Sequence, residues 1–177
     1  MKDVLEAFDR YLADQGVAFE ATVIGGAALI VMGTIQRATR DVDILEPKIP
    51  EAVAQAAVRF ARQRAELGLE EHWFNNGPES LTRDLPPGWL DRRRPLYRGK
   101  ALTLTTLGRL DLLRSKLFAF LDRQEDLADC LALRPSRSEL KEIAPWLKDR
   151  DANELWPRHV ERSLNALCKE LGYEPLY

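Results

Sequence analysis

The feature that most constrains this chain is an apolar segment broken by two adjacent glycines. Val17-Ala18-Phe19-Glu20-Ala21-Thr22-Val23-Ile24 is rich in β-branched and aromatic residues and runs straight into Gly25-Gly26. Such a segment predicts a buried strand, and the glycines predict a turn at its end. Residues 27–32 are apolar and Ala-rich, predicting a short helix closed by Gly33. Asp41-Val42-Asp43-Ile44-Leu45 then alternates polar with apolar at its start, as a strand with one exposed face does. A strand, a turn, a helix and a second strand predict an α/β core with a small mixed sheet flanked by helices.

The rest of the chain extends this plan. Val4, Leu5, Phe8 and Leu12 recur at helical spacing before Gly16. Residues 50–67 predict a second helix, with Val53, Ala56, Ala57 and Phe60 on one face and Gly68 as its stop. The segment 70–100 holds Asn75-Asn76-Gly77-Pro78 and Pro86-Pro87-Gly88 and reads as irregular. Residues 101–107 read as a strand by alternation. After Gly108 the pattern is helical, with Leu110, Leu113, Leu117 and Phe120 on one face. Ser136 followed by Glu139 fits a capping box, and Val160, Leu164, Leu167 and Leu171 mark a last helix. The expected organisation is an α/β core over 1–107 with a helical region, 108–177, packed on it.

Composition narrows the function classes. At 177 residues, 45% hydrophobic and 31% charged, the chain has the makings of a core and is not a disordered tail. A formal net charge of −2 argues against a globally basic nucleic-acid binder. Cys130 and Cys168 form no CxxC pair, and His72 and His159 lie far apart, so disulfide scaffolds, thiolate zinc sites and clustered-histidine chemistry have no support. The apolar run 21–33 is too short to span a bilayer and Met1-Lys2-Asp3 opens no signal segment, so the expected location is cytoplasmic.

The chemistry lies where the two strands meet the glycines. Alternation places Asp41 and Asp43 on one strand face roughly 7 Å apart. Two carboxylates so placed can share Mg²⁺ (or Mn²⁺), which takes oxygen ligands and keeps substrate phosphates in its shell. Gly25 and Gly26 let backbone approach a phosphate, and the helix start beyond them favours an anion. Arg37 and Arg40 precede the acids and are placed to meet a nucleotide phosphate; Arg40 equally suits an ion pair with Asp41 or Asp43. The run Asp91-Arg92-Arg93-Arg94-Pro95-Leu96-Tyr97-Arg98-Gly99-Lys100 suits a phosphate of RNA or protein, or the commoner solvated loop. The four tryptophans read as packing anchors and the two cysteines as buried small groups.

Gly25-Gly26-Ala27-Ala28-Leu29 followed by Arg37-Ala38-Thr39-Arg40-Asp41-Val42-Asp43-Ile44 resembles the nucleotidyltransferase superfamily that includes DNA polymerase beta. The detail is similar to bacterial minimal nucleotidyltransferases of the abortive-infection and toxin–antitoxin groups. Those relatives carry a later Lys-Leu-x-Ala block, matched here by Lys116-Leu117-Phe118-Ala119, with Arg123, Asp126 and Asp129 beyond it. The resemblance implies a metal held by Asp41 and Asp43, a nucleoside triphosphate at Gly25, Gly26, Arg40 and Arg123, and a catalytic Lys116 offsetting phosphate charge. It implies transfer of a nucleoside monophosphate to an RNA or protein acceptor, and a cognate toxin or antitoxin partner. The residues alone leave Lys116 and Arg123 equally readable as snorkelling cations, and Asp126 and Asp129 as an ion-paired helix face. Active members of that superfamily add a third carboxylate from a neighbouring strand, whereas 102–107 offers threonines; Asp91, Asp126 and Asp129 are the alternatives. A catalytically inactive nucleotidyltransferase fold that binds a partner is the rival reading.

Overall fold

The computed structural model describes residues 1–123 and 126–177. The chain divides into two compact units, Met1–Gly108 and Arg109–Tyr177.

The first unit is a five-stranded mixed sheet with helices. In chain order it contains α1 (Lys2–Asp14), β1 (Phe19–Ile24), α2 (Gly25–Val31), β2 (Val42–Glu46), α3 (Glu51–Gln63), β3 (Phe74–Asn75), β4 (Arg94–Arg98) and β5 (Leu102–Thr106). The strand order is β3-β2-β1-β5-β4. Central β1 runs antiparallel to β2 and parallel to β5, while β3 lies parallel to β2 and β4 antiparallel to β5. One face carries Ala21, Val23, Val42, Ile44, Leu102 and Leu104, which share a buried core with α1 and α3. Phe8, Phe60, Trp73 and Phe74 meet there, with Phe8 centred 5.2 Å from Phe60 and 5.1 Å from Trp73. Burying each such ring contributes roughly 1.5–3 kcal/mol, and Trp73 Nε1 donates to the Ala57 carbonyl, so no polar atom of the indole is stranded.

By the period of two, the other face receives Thr22 and Ile24 from β1, Thr103 and Thr105 from β5, and Asp43 from β2. A bulge between Thr22 and Val23 shifts the β1–β2 register, so Thr22 pairs with Glu46 while Ile24 pairs with Asp43. The extra residue on β2 returns Glu46 to the face that Asp43 occupies.

Two expectations change. The glycines do not form a separate turn: they are the first two residues of α2, which begins at Gly25. Gly25 reaches φ +74°, a left-handed conformation that costs glycine nothing. The basic run is not wholly a loop, because Arg94–Arg98 forms edge strand β4. Its charges and Pro95 conceal a strand that needs only one hydrogen-bonded partner, β5.

The second unit contains α4 (Arg109–Arg123), α5 (Leu127–Ala132), α6 (Arg137–Lys148) and α7 (Trp156–Glu170). Ser136 caps α6 with a full capping box, its hydroxyl accepting from Glu139 N–H while the Glu139 carboxylate accepts from Ser136 N–H. Leu140, Ile143, Leu147, Val160, Leu164 and Leu167 are buried where α6 and α7 pack. Among the described residues, no helix is long and apolar enough to cross a membrane.

Candidate active site

The strand that enters α2 and the strand that follows it bring backbone and acid together. A Cβ built on Gly25 would lie 2.5 Å from Asp43 Oδ2, so Gly25 is bare because the carboxylate occupies that space. A Cβ on Gly26 would meet Arg37 Nη2 at 2.9 Å and Thr39 Oγ1 at 3.5 Å. Thr39 Oγ1 donates to Asp41 Oδ1 at 2.6 Å, a local bond from a short polar side chain two residues away. Asp43 therefore lies against Gly25, while Asp41 is bonded to Thr39, which stands near Gly26. Asp41 is exposed and Asp43 half-buried, so solvent and ligands reach the pair.

Arg37 comes against Gly26, whereas Arg40 is exposed and makes no hydrogen bond or ion pair among the described residues. Thr39 is a participant that the sequence reading passed over. Its signal was present as a threonine two positions before the first acid.

Lys116, Arg123, Asp126 and Asp129 lie in the second unit and come together there. Lys116 Nζ sits 2.7 Å from Asp129 and 3.3 Å from Asp126, with the lysine side chain 6% exposed. Arg123 Nη2 is 3.7 Å from the other oxygen of Asp126 and is 60% exposed. The two cations thus share one carboxylate. Cys130 is buried beside this cluster, and burial pushes its thiol up to about 12, leaving an inert apolar group.

Of the acids considered for a third carboxylate, Asp126 and Asp129 partner Lys116, and Asp91 is exposed in a 3-10 turn, Trp89–Arg92. On β5, Thr105 stands beside Thr22, its hydroxyl 3.2 Å from that of Thr22. Among the described residues, no three His, Cys, Asp or Glu side chains group as a metal cluster.

A family model for "nucleotidyltransferase of unknown function (DUF6036)" matches residues 1–134. The chain belongs to this family. The match begins with α1, covers the whole of the first unit including Gly25, Gly26, Asp41 and Asp43, and continues through α4 and α5 with Lys116 and its carboxylates. Helices α6 and α7 lie beyond it. No curated protein and no solved structure matches the chain.

Proposed function

We propose that this nucleotidyltransferase-family chain is an enzyme that moves a nucleoside monophosphate from a nucleoside triphosphate to an RNA or protein hydroxyl. The observation that carries this reading is the Asp43 carboxylate against Gly25 at the start of α2, with exposed Asp41 two residues before it and bonded to Thr39 near Gly26. Two accessible carboxylates suit one Mg²⁺ or Mn²⁺, an ion that takes one or two carboxylates and fills its shell with water and phosphate. When bound, such an ion supplies charge neutralisation to the phosphates.

The chain's own residues do the rest. The missing Cβ atoms of Gly25 and Gly26 let Asp43 and Arg37 come against the start of α2, so an acid for the metal and a cation for a phosphate stand at one place. Arg40 adds an exposed cation on the same approach. The acceptor oxygen bonds to the α-phosphorus, the bond to the bridging oxygen breaks, pyrophosphate leaves with that electron pair, and the hydroxyl proton passes to solvent. Lys116 enters this reading with its charge already shared with Asp126 and Asp129, so it orders α4 and α5, and Arg123 is the cation of that cluster open to a phosphate. The biological setting we infer is a toxin–antitoxin or phage-defence pair.

A second reading has its own observation: β5 carries Thr103, Thr105 and Thr106 and no acid. A two-metal displacement draws on more carboxylate than Asp41 and Asp43 provide, and a binding module needs none of it. The experiment is incorporation of radiolabelled nucleotide into RNA, the protein itself or a co-purified partner. Transfer by the wild type that Asp41→Asn with Asp43→Asn abolishes, in a folded protein, supports the enzyme. Partner capture without transfer for any nucleotide and either metal supports the binding module.

A further inference from the structure

The second face of the sheet holds a charged group that the reading above leaves unused. Glu46 Oε1 accepts from Arg93 Nη1 at 3.0 Å and from Thr22 Oγ1 at 3.3 Å, and Arg93 Nη1 also reaches Thr22 Oγ1 at 3.3 Å. Arg93 Nε donates to the Leu90 carbonyl at 2.8 Å. The guanidinium is therefore held at Nε and at Nη1 by three partners from different parts of the first unit. Its Nη2 donates to nothing among the described residues, and the Arg93 and Glu46 side chains are 35% and 31% exposed, so solvent reaches the pair.

The register gives this group its location. Thr22 pairs with Glu46 and Ile24 pairs with Asp43, so the cluster lies two strand residues, roughly 7 Å, from the acid beside Gly25. A guanidinium fixed in place by protein acceptors loses little freedom on binding, and its planar N–H groups match phosphate oxygens. A partly exposed Arg–Glu pair is weak on its own and yields readily to a more highly charged anion. The other arginines of the run do not share this arrangement: Arg92 donates to the carbonyls of Pro86 and Pro87, and Arg94 and Arg98 are exposed on β4.

We propose that Arg93 is a phosphate-binding residue for the polyphosphate end of a nucleoside triphosphate, held in place and attenuated by Glu46. The nucleotide part of this inference rests on the reading of Asp41 and Asp43; the anion site itself does not. The probe is inorganic tripolyphosphate, titrated calorimetrically into the full chain in EDTA at low ionic strength. Wild type binds saturably, Arg93→Gln weakens binding about tenfold, and Arg93→Lys falls between. Glu46→Gln tightens binding about threefold because the guanidinium keeps its full charge. A merely structural ion pair would not give these opposite signs. Urea midpoints accompany each variant, and where Arg93→Gln does not fold, Arg93→Lys is read in its place. Absence of wild-type binding, wild-type affinity in the arginine variant that folds, or equal weakening by Glu46→Gln overturns the proposal. Tripolyphosphate binding without nucleotide transfer sinks the enzyme reading and leaves this site standing; transfer with no effect of Arg93 does the reverse.

Discussion

Two groups of acids in this chain differ in what neutralises them. Asp126 and Asp129 close on Lys116, and Asp129 is 2% exposed. Asp43 lies against Gly25, Asp41 is bonded to Thr39, and both keep contact with solvent. The first group draws its cation, Lys116, from the preceding helix, 10 and 13 positions away, whereas in the second Asp43 lies on β2 and Asp41 just before it. Carboxylates at similar sequence spacing are thus sealed into a buried ion-paired cluster in one unit and left in contact with solvent in the other.

The comparison breaks most readily at Lys116. Lys116→Met removes the cation 2.7 Å from buried Asp129 and should cost about 3–5 kcal/mol, read as a lower urea midpoint at unchanged slope. A neutral result would mean that the helical cluster does not depend on its internal cation.

Asp9 offers a third way to neutralise a carboxylate. Burial pushes its pKa up, but backbone N–H bonds from Ala101, Lys100 and Leu102, with the charge of Lys100, outweigh this and hold it below 3.8. Asp9→Asn should cost about 1–3 kcal/mol at neutral pH. Because the folded value is depressed, the wild type keeps this contribution above the ordinary carboxylate range and loses it as pH falls through the folded value. The gap between wild type and variant should therefore close in acid; a constant gap down to low pH would refute the assignment.

Gly25→Ala places a Cβ against Asp43 at a positive φ and should cost about 1–2 kcal/mol. The same change should weaken Mn²⁺ binding in a paramagnetic titration, since the Asp43 carboxylate has to move. Stability lost with metal affinity intact would confine Gly25 to a backbone role. Smallest in stability is Asp41→Asn, expected within about 0.5 kcal/mol because the side chain is exposed. Its effect belongs to Mn²⁺ affinity, which should drop at least about tenfold with the loss of one anionic ligand.

These sites were unequally legible in the sequence. Gly25 and Asp43 lie within one stretch whose local order implies a strand, a glycine break and a second strand, so their meeting follows from short-range order. The capping box at Ser136 and Glu139 is likewise local. Arg93 and Glu46 are 47 positions apart and meet only because a bulge turns Glu46 and a 3-10 turn aims Arg93; neither device has a local signature. Strand β4 was hidden because arginines and proline are the residues of a loop, and its pairing is supplied by β5. Asp9 did leave a trace, since it occupies a helix face bounded by Leu5 and Leu12, where an acid has to find donors.

The rims of the sheet bear on how copies of this protein behave at high concentration. One rim, β3, is two residues long, and the other, β4, places Arg94 and Arg98 around Pro95, which has no N–H to offer. A net charge of −2 gives molecules little mutual repulsion, so colloidal stability cannot come from long-range charge. It falls to these rims to refuse a strand from another copy: the short one presents too few bonding groups and the basic one repels its own image. Replacing Arg94 and Arg98 with threonine would leave the fold its partners on β5 while turning the rim into a template for cross-β growth.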